Sequence, residues 1–282
     1  VSQNRILFTR FQGNNHVMFN DIYAINPDGN SETRLIDSLE EDGEYMDNAS
    51  PRYNKDKAQI AFLSSKNNPS RLFNVFIMTL ADRVLRQITT GNLDMTGVDW
   101  APDDSRFVVS CKSGNGLYQI HLLSLDGVIL TQLTSGPEEN MNAQWSPHGN
   151  LIAFTQFPPT SKTSHIWIMD SDGGNQRKLT SDETAHSNPS WSPDGSWVIF
   201  RCDLDTPHLR RINVYTGEVF VYPAPVSGFD SSPIWSGREI VFSSNRDWEE
   251  DEYIFNLYIM SENGDNIRRL TTNQTFEYCG DW

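Results

Sequence analysis

One pattern recurs along this chain at nearly constant spacing, and no other feature restricts its fold so strongly. Asn188-Pro-Ser-Trp-Ser-Pro-Asp-Gly-Ser-Trp-Val-Ile-Phe200 is the clearest copy, and Asn142-Ala-Gln-Trp-Ser-Pro-His-Gly-Asn-Leu-Ile-Ala-Phe154 repeats it without a gap. Gly97–Val109, Ser50–Phe62 (with Tyr in place of Trp) and Ser232–Phe242 (shorter in the turn) are three more copies. Their aromatic anchors are Tyr53, Trp100, Trp145, Trp191 and Trp235, and a sixth, Trp282, follows at the same interval of 44 to 47 residues. No stretch sustains a 3.6-residue period, which excludes an α-solenoid.

Each unit reads as four strands. The first (a) ends on the anchor, and a Pro-Asp-Gly-type turn leads into a second (b), such as Trp197-Val-Ile-Phe-Arg201. The third (c) alternates with period two, as in Ile166-Trp-Ile-Met169, and a Gly/Asn turn leads to a short fourth (d), Arg177-Lys-Leu-Thr180. After Trp282 the missing strands come from the other end: Arg5–Phe8, Asp21–Ile25 and Thr33–Ile36. The fold class is therefore all-β: one six-bladed β-propeller over residues 1–282, with blade six built from 276–282 plus 4–37. Sharing one blade between the termini leaves no open sheet edge at the seam.

Composition agrees with thin, two-faced sheets. Apolar residues make up 37%, yet eight Trp and an aromatic share of 11% argue against disorder. The 37 acidic residues outnumber 22 basic ones, for a net charge of −15, which disfavours a nucleic-acid partner. It favours a cation or a basic peptide or protein, and also serves solubility. Cys111, Cys202 and Cys279 show neither metal-ligand spacing nor an even disulfide framework, and read as small buried residues. No apolar run is long enough for a membrane span. The chain opens at Val1 without a signal-like segment, as a processed chain would.

Trp-Ser-Pro-Asp-Gly, then Ile-Trp-Ile-Met-Asp-Ser-Asp-Gly-Gly-Asn, then Arg-Lys-Leu-Thr resembles the TolB-type propeller repeat, and all six units share the likeness. The resemblance implies a periplasmic propeller that docks protein partners near its axial channel. Related propellers also occur in prolyl oligopeptidase relatives and in oligogalacturonide lyases, so two rivals stand beside a binding module. One is a propeller lyase, and the other is the substrate-gating propeller of a serine peptidase.

Catalytic patterns are missing from the sequence: there is no Gly-x-Ser-x-Gly, no His-Glu-x-x-His and no phosphate-binding Gly-rich loop. The histidines (His16, His121, His148, His165, His186 and His208) are scattered, and only His186 enters an anchor strand where it could face the axis. The Asp170-Ser-Asp-Gly turn lacks the later Glu of a calcium loop and reads as a hairpin turn. The anchors themselves read as core.

Five or six residues before each anchor stand Asp47, Asp94, Glu139, His186, Asp230 and Glu277. Propeller geometry would bring these towards one ring at the channel mouth, where like charges would attract a basic segment or a divalent cation such as Ca²⁺. Two acidic loops should flank it on the same face. One carries Glu40, Glu41, Asp42 and Glu44, and the other Trp248, Glu249, Glu250, Asp251 and Glu252. Lys55, Lys57, Arg83, Arg177 and Lys178 should then populate the opposite face. We thus expect a non-catalytic, monomeric, periplasmic or extracellular propeller for a basic peptide or protein.

Overall fold

The computed structural model describes residues 4–14, 17–39, 45–91, 93–161, 163–247 and 254–282, and every regular element among them is a β-strand. The strands form six four-stranded antiparallel sheets. Chain order begins with β1 (Ile6–Asn14), β2 (Val17–Ile25) and β3 (Thr33–Ile36). Blade one holds β4 (Asn48–Tyr53), β5 (Gln59–Ser64), β6 (Asn74–Thr79) and β7 (Leu85–Gln87). Blade two holds β8 (Met95–Trp100), β9 (Arg106–Lys112), β10 (Tyr118–Ser124) and β11 (Ile129–Gln132). Blade three holds β12 (Glu139–Trp145), β13 (Leu151–Phe157), β14 (His165–Asp170) and β15 (Arg177–Lys178). Blade four holds β16 (Ala185–Trp191), β17 (Trp197–Asp203), β18 (His208–Asn213) and β19 (Val219–Val221). Blade five holds β20 (Asp230–Ser236), β21 (Glu239–Ser244), β22 (Asn256–Ser261) and β23 (Arg268–Arg269).

The last strand, β24 (Glu277–Asp281), pairs antiparallel with β1, matching Phe8 with Cys279 and Arg10 with Glu277. Blade six therefore runs β24-β1-β2-β3, closed through both ends of the chain as the repeat spacing requires. Closure is reinforced by Phe11 N–H donating to the Phe276 carbonyl at 2.8 Å.

The core lies between blades. Six apolar clusters each join neighbouring sheets, as where Val75 and Ile77 of blade one meet Val98 and Phe107 of blade two. Strands b and c are covered on both faces, which is why they read as nearly continuous apolar runs. Each Trp anchor inserts into one of these clusters, and Trp282 packs with Phe8, Ile25 and Val241 across the seam. The Asp170 turn is a plain hairpin joining β14 to β15, with Gly174 N–H donating to Asp172 at 2.9 Å.

A bulge interrupts five anchor strands before the aromatic residue, for instance between Met141 and Gln144. Ser50, Asn142, Asn188 and Ser232 take left-handed backbone there, with φ between 47° and 56°. Short polar residues tolerate that conformation best after glycine. The kink aims these residues at the axis, so the same signal that marks the repeat also furnishes the channel.

Candidate functional site

The axial channel is a cavity of about 470 Å³ to which all six inner strands contribute. Its wall is polar, lined by Ser50, Thr96, Asn142, Asn188 and Ser232 together with the guanidinium groups of Arg52 and Arg201. Cys279 adds a thiol to the same wall, and burial pushes that thiol up to about 12, so it stays protonated.

At the mouth where the inner strands begin, the six sequence-predicted residues do not form one ring. Asp47, Asp94 and Glu139 lie six residues before their anchors, whereas His186, Asp230 and Glu277 lie five before theirs. Successive side chains of a strand point to opposite faces, so one residue of offset separates the two sets. The first set is half-buried, and the second is buried between blades.

The buried set is partnered within the fold. Arg246 grips both carboxylate oxygens of Asp230 at 2.8 and 2.7 Å. Arg10 meets Glu277 at 2.7 Å and also Glu32 at 2.6 Å, while Asn273 and Thr271 donate to Glu277. Burial still holds Asp230 and Glu277 above the usual carboxylate range, with the two guanidinium groups opposing it. His186 does not face the axis as expected. It packs edge-on against Phe200, and burial drives its imidazole down to about 4 although Asp182 sits 3.2 Å away.

The half-buried set lies on consecutive blades, one to three. Burial opposes the ionisation of Asp94, but Lys112 at 2.8 Å and the Tyr118 hydroxyl at 2.6 Å prevail and hold it below its ordinary value. Asp47 accepts one long bond from Asn20 at 3.4 Å, and burial raises it against the nearby Arg71. Glu139 makes no ion pair among the described residues. Among the described residues, the carboxylates of this mouth without an ion pair are thus on blades one and three, with Arg71 near the first.

No three His, Cys, Asp or Glu side chains among the described residues gather where they could hold a metal ion. Glu40, Glu41, Asp42 and Glu44, with Trp248, Glu249, Glu250, Asp251 and Glu252, lie outside the described residues. The cations expected on the opposite face, Lys55, Lys57 and Arg83 among them, lie in or beside the anchor-side turns, and acids share those turns. Anchor-side turns carry Asp56, Asp103, Asp172 and Asp194, which accept bonds from backbone two residues on and so form the turns.

The far mouth holds a group the sequence reading passed over. The residue before each anchor lines it, giving Arg52, Asp99 and Asp281 with Gln144, Ser190 and Ile234. Arg52 stands 3.7 Å from Asp99 and donates to the Gly280 carbonyl. Asp99 accepts from Trp145 N–H at 2.9 Å, and Asp281 accepts from Tyr53 N–H at 2.8 Å, so each carboxylate ties its blade to the next. An acid placed directly before a core aromatic was the available signal.

Burial pushes Asp99 up to about 7 from an ordinary 3.8, with Asp281 adding to the rise and Arg52 opposing it. A carboxyl raised in this way favours folding in its protonated form. Its stabilisation is full below the unfolded value and disappears as pH climbs through the folded one. Asp99→Asn is therefore expected to flatten the pH dependence of stability between these two values. It should gain on the order of 1–3 kcal/mol at pH 8, measured by denaturant unfolding at several pH values. A variant with the wild-type slope would contradict this assignment.

Residues 44–214 match the model of the TolB beta propeller domain. A solved structure of a putative TolB from Agrobacterium tumefaciens is 19% identical with a TM-score of 0.73, covering 95% of this chain and 89% of that one. TolB from Acinetobacter baumannii is 18% identical with a TM-score of 0.75, covering 98% and 67%. The propeller in a nidogen/laminin complex is 12% identical with a TM-score of 0.70, covering 98% and 97%. At these identities the structures share the fold. None of the curated proteins matches this chain.

Proposed function

The chain belongs to the TolB beta propeller domain family, and from that premise we propose a non-catalytic protein-binding propeller that receives a basic peptide or protein segment at one axial mouth. The observation that carries this is the unequal charge of that mouth. Asp230 and Glu277 already hold the chain's own guanidinium groups, while Asp47 and Glu139 present carboxylates without an ion pair among the described residues, beside a polar channel. A Lys or Arg entering from blades one to three would meet these carboxylates, and its backbone would find Asn and Ser partners below. Complementary charge of this kind sets specificity and association rate more than raw affinity.

The module works as a monomer outside the cytoplasm, periplasmic or extracellular. Family membership supports the location. The outermost strands, only two to four residues long, are too short to recruit a second copy by edge pairing. The thiol on the channel wall, Cys279, is held protonated by burial, which supports a non-catalytic role.

Site variants test the proposal. Glu139→Gln combined with Asp47→Asn should weaken binding of a Lys/Arg-rich peptide by about tenfold or more, read by fluorescence titration. Melting temperature should stay within a few degrees of wild type, because neither carboxylate is in an ion pair. Equal affinity in the double variant would remove the proposed mouth.

A further inference from the structure

The seam between blades six and one differs from the other five, and the difference begins with one residue. Five interfaces are filled by an indole, since Trp100, Trp145, Trp191, Trp235 and Trp282 are each no more than 8% exposed. Blade one carries Tyr53 instead, and it remains half-buried. Beside it opens a cleft of about 450 Å³, within the range of roughly 300–1,000 Å³ typical of small-molecule sites.

The chemistry of its walls is unlike the rest of this acidic molecule. Leu35, Leu80 and the Tyr53 ring supply apolar surface, Arg5, Lys57 and Arg83 supply positive charge, and no Asp or Glu lines it. Arg5 spends its terminal nitrogen on the Ala24 carbonyl at 2.6 Å and on the Ser31 carbonyl and Thr33 hydroxyl. Its Nε is buried without a partner. Lys57 rests 5.6 Å from the Tyr53 ring centre, so its ammonium is held at the cleft wall by the aromatic face.

We propose that this cleft binds an apolar carboxylate, an aromatic or aliphatic body bearing one anionic end. The hydrocarbon would lie against Leu35, Tyr53 and Leu80, and the carboxylate would accept from Lys57 and Arg83. Two sources offer that chemistry, a free acid and the carboxyl-terminal residue of a peptide.

Titration calorimetry with 3-phenylpropanoate, and with a short peptide ending in Phe, tests the site, each beside its neutral amide. The carboxylate forms should bind at least about tenfold tighter than the amides. Lys57→Gln and Arg83→Gln should each erode that preference, and Tyr53→Trp should crowd the aromatic wall and weaken binding. Binding of 3-phenylpropanoate would identify a free acid as sufficient, while binding of the peptide alone would identify a carboxyl terminus. Equal affinity for acid and amide, no binding by either, or undiminished binding to Tyr53→Trp would overturn the proposal. Should Tyr53→Trp fail to fold, the two cation variants still decide it. The basic-peptide titration at the axial mouth is independent of these residues, so the two sites fail or stand separately.

Discussion

Removal of residues 276–282 is expected to destroy the cooperative fold. The cut deletes β24, so Leu7 to Arg10 of β1 lose their ladder partners and present a bare edge on the inner side of blade six. It removes Trp282 from the cluster of Ile6, Phe8, Ile25 and Val241, and loss of a buried Trp side chain alone costs about 3–5 kcal/mol. It also leaves Arg10, only 6% exposed, without Glu277. Together these losses rival the roughly 5–15 kcal/mol of stability that a folded domain possesses. Size-exclusion chromatography should show aggregation, and a thermal scan should show no wild-type transition. A monomeric truncation with an unchanged melting temperature would mean that the ring does not close through its termini.

Arg10→Met should be the most damaging single change at the candidate mouth. Glu277 is fully buried, and without Arg10 its charge keeps only the hydrogen bonds from Thr271 and Asn273. Stripping one partner from a buried pair typically costs about 3–5 kcal/mol, because the other charge is left uncompensated. The loss should be read from chemical denaturation at neutral pH. Adding Glu277→Met should recover much of it, since an apolar pair of similar volume avoids the desolvation cost. An Arg10→Met protein as stable as wild type would show that Glu277 is already protonated and needs no guanidinium.

These two expectations rest on features of unequal legibility. Closure through Trp282 follows from arithmetic, because the sixth anchor falls at the common interval and strands enough to complete its blade stand at the other end. The inner-strand bulge falls on Ser50, Asn142, Asn188 and Ser232, each three residues before its anchor, but the repeat pattern alone gave no sign of it. The charged mouth was legible only in part. Sequence placed these residues at the start of the inner strands, but counting to within one residue is not enough in a strand, where that step turns a side chain from solvent into the core. Measured from the anchors, Asp230 and Glu277 fall on the buried face and Asp94 on the open one. Their cations were illegible for another reason. Arg10, Lys112 and Arg246 lie 267, 18 and 16 residues from their acids, and only the pairing of strands a and b brings them together. The cleft beside Tyr53 was not legible, because its cations Arg5, Lys57 and Arg83 come from two blades that only the closed ring brings together.

The most direct measurement is an equilibrium titration of the wild-type protein with two peptides of matched length, one rich in Lys and Arg and one rich in Asp and Glu, across ionic strength. The basic peptide should bind, and its affinity should fall as the screening length shrinks from about 10 Å at 0.1 M salt to about 3 Å at 1 M. The acidic peptide should not bind at any salt concentration. Equal affinity for both peptides, or none for the basic one at low salt, would contradict a propeller whose axial mouth receives a basic segment.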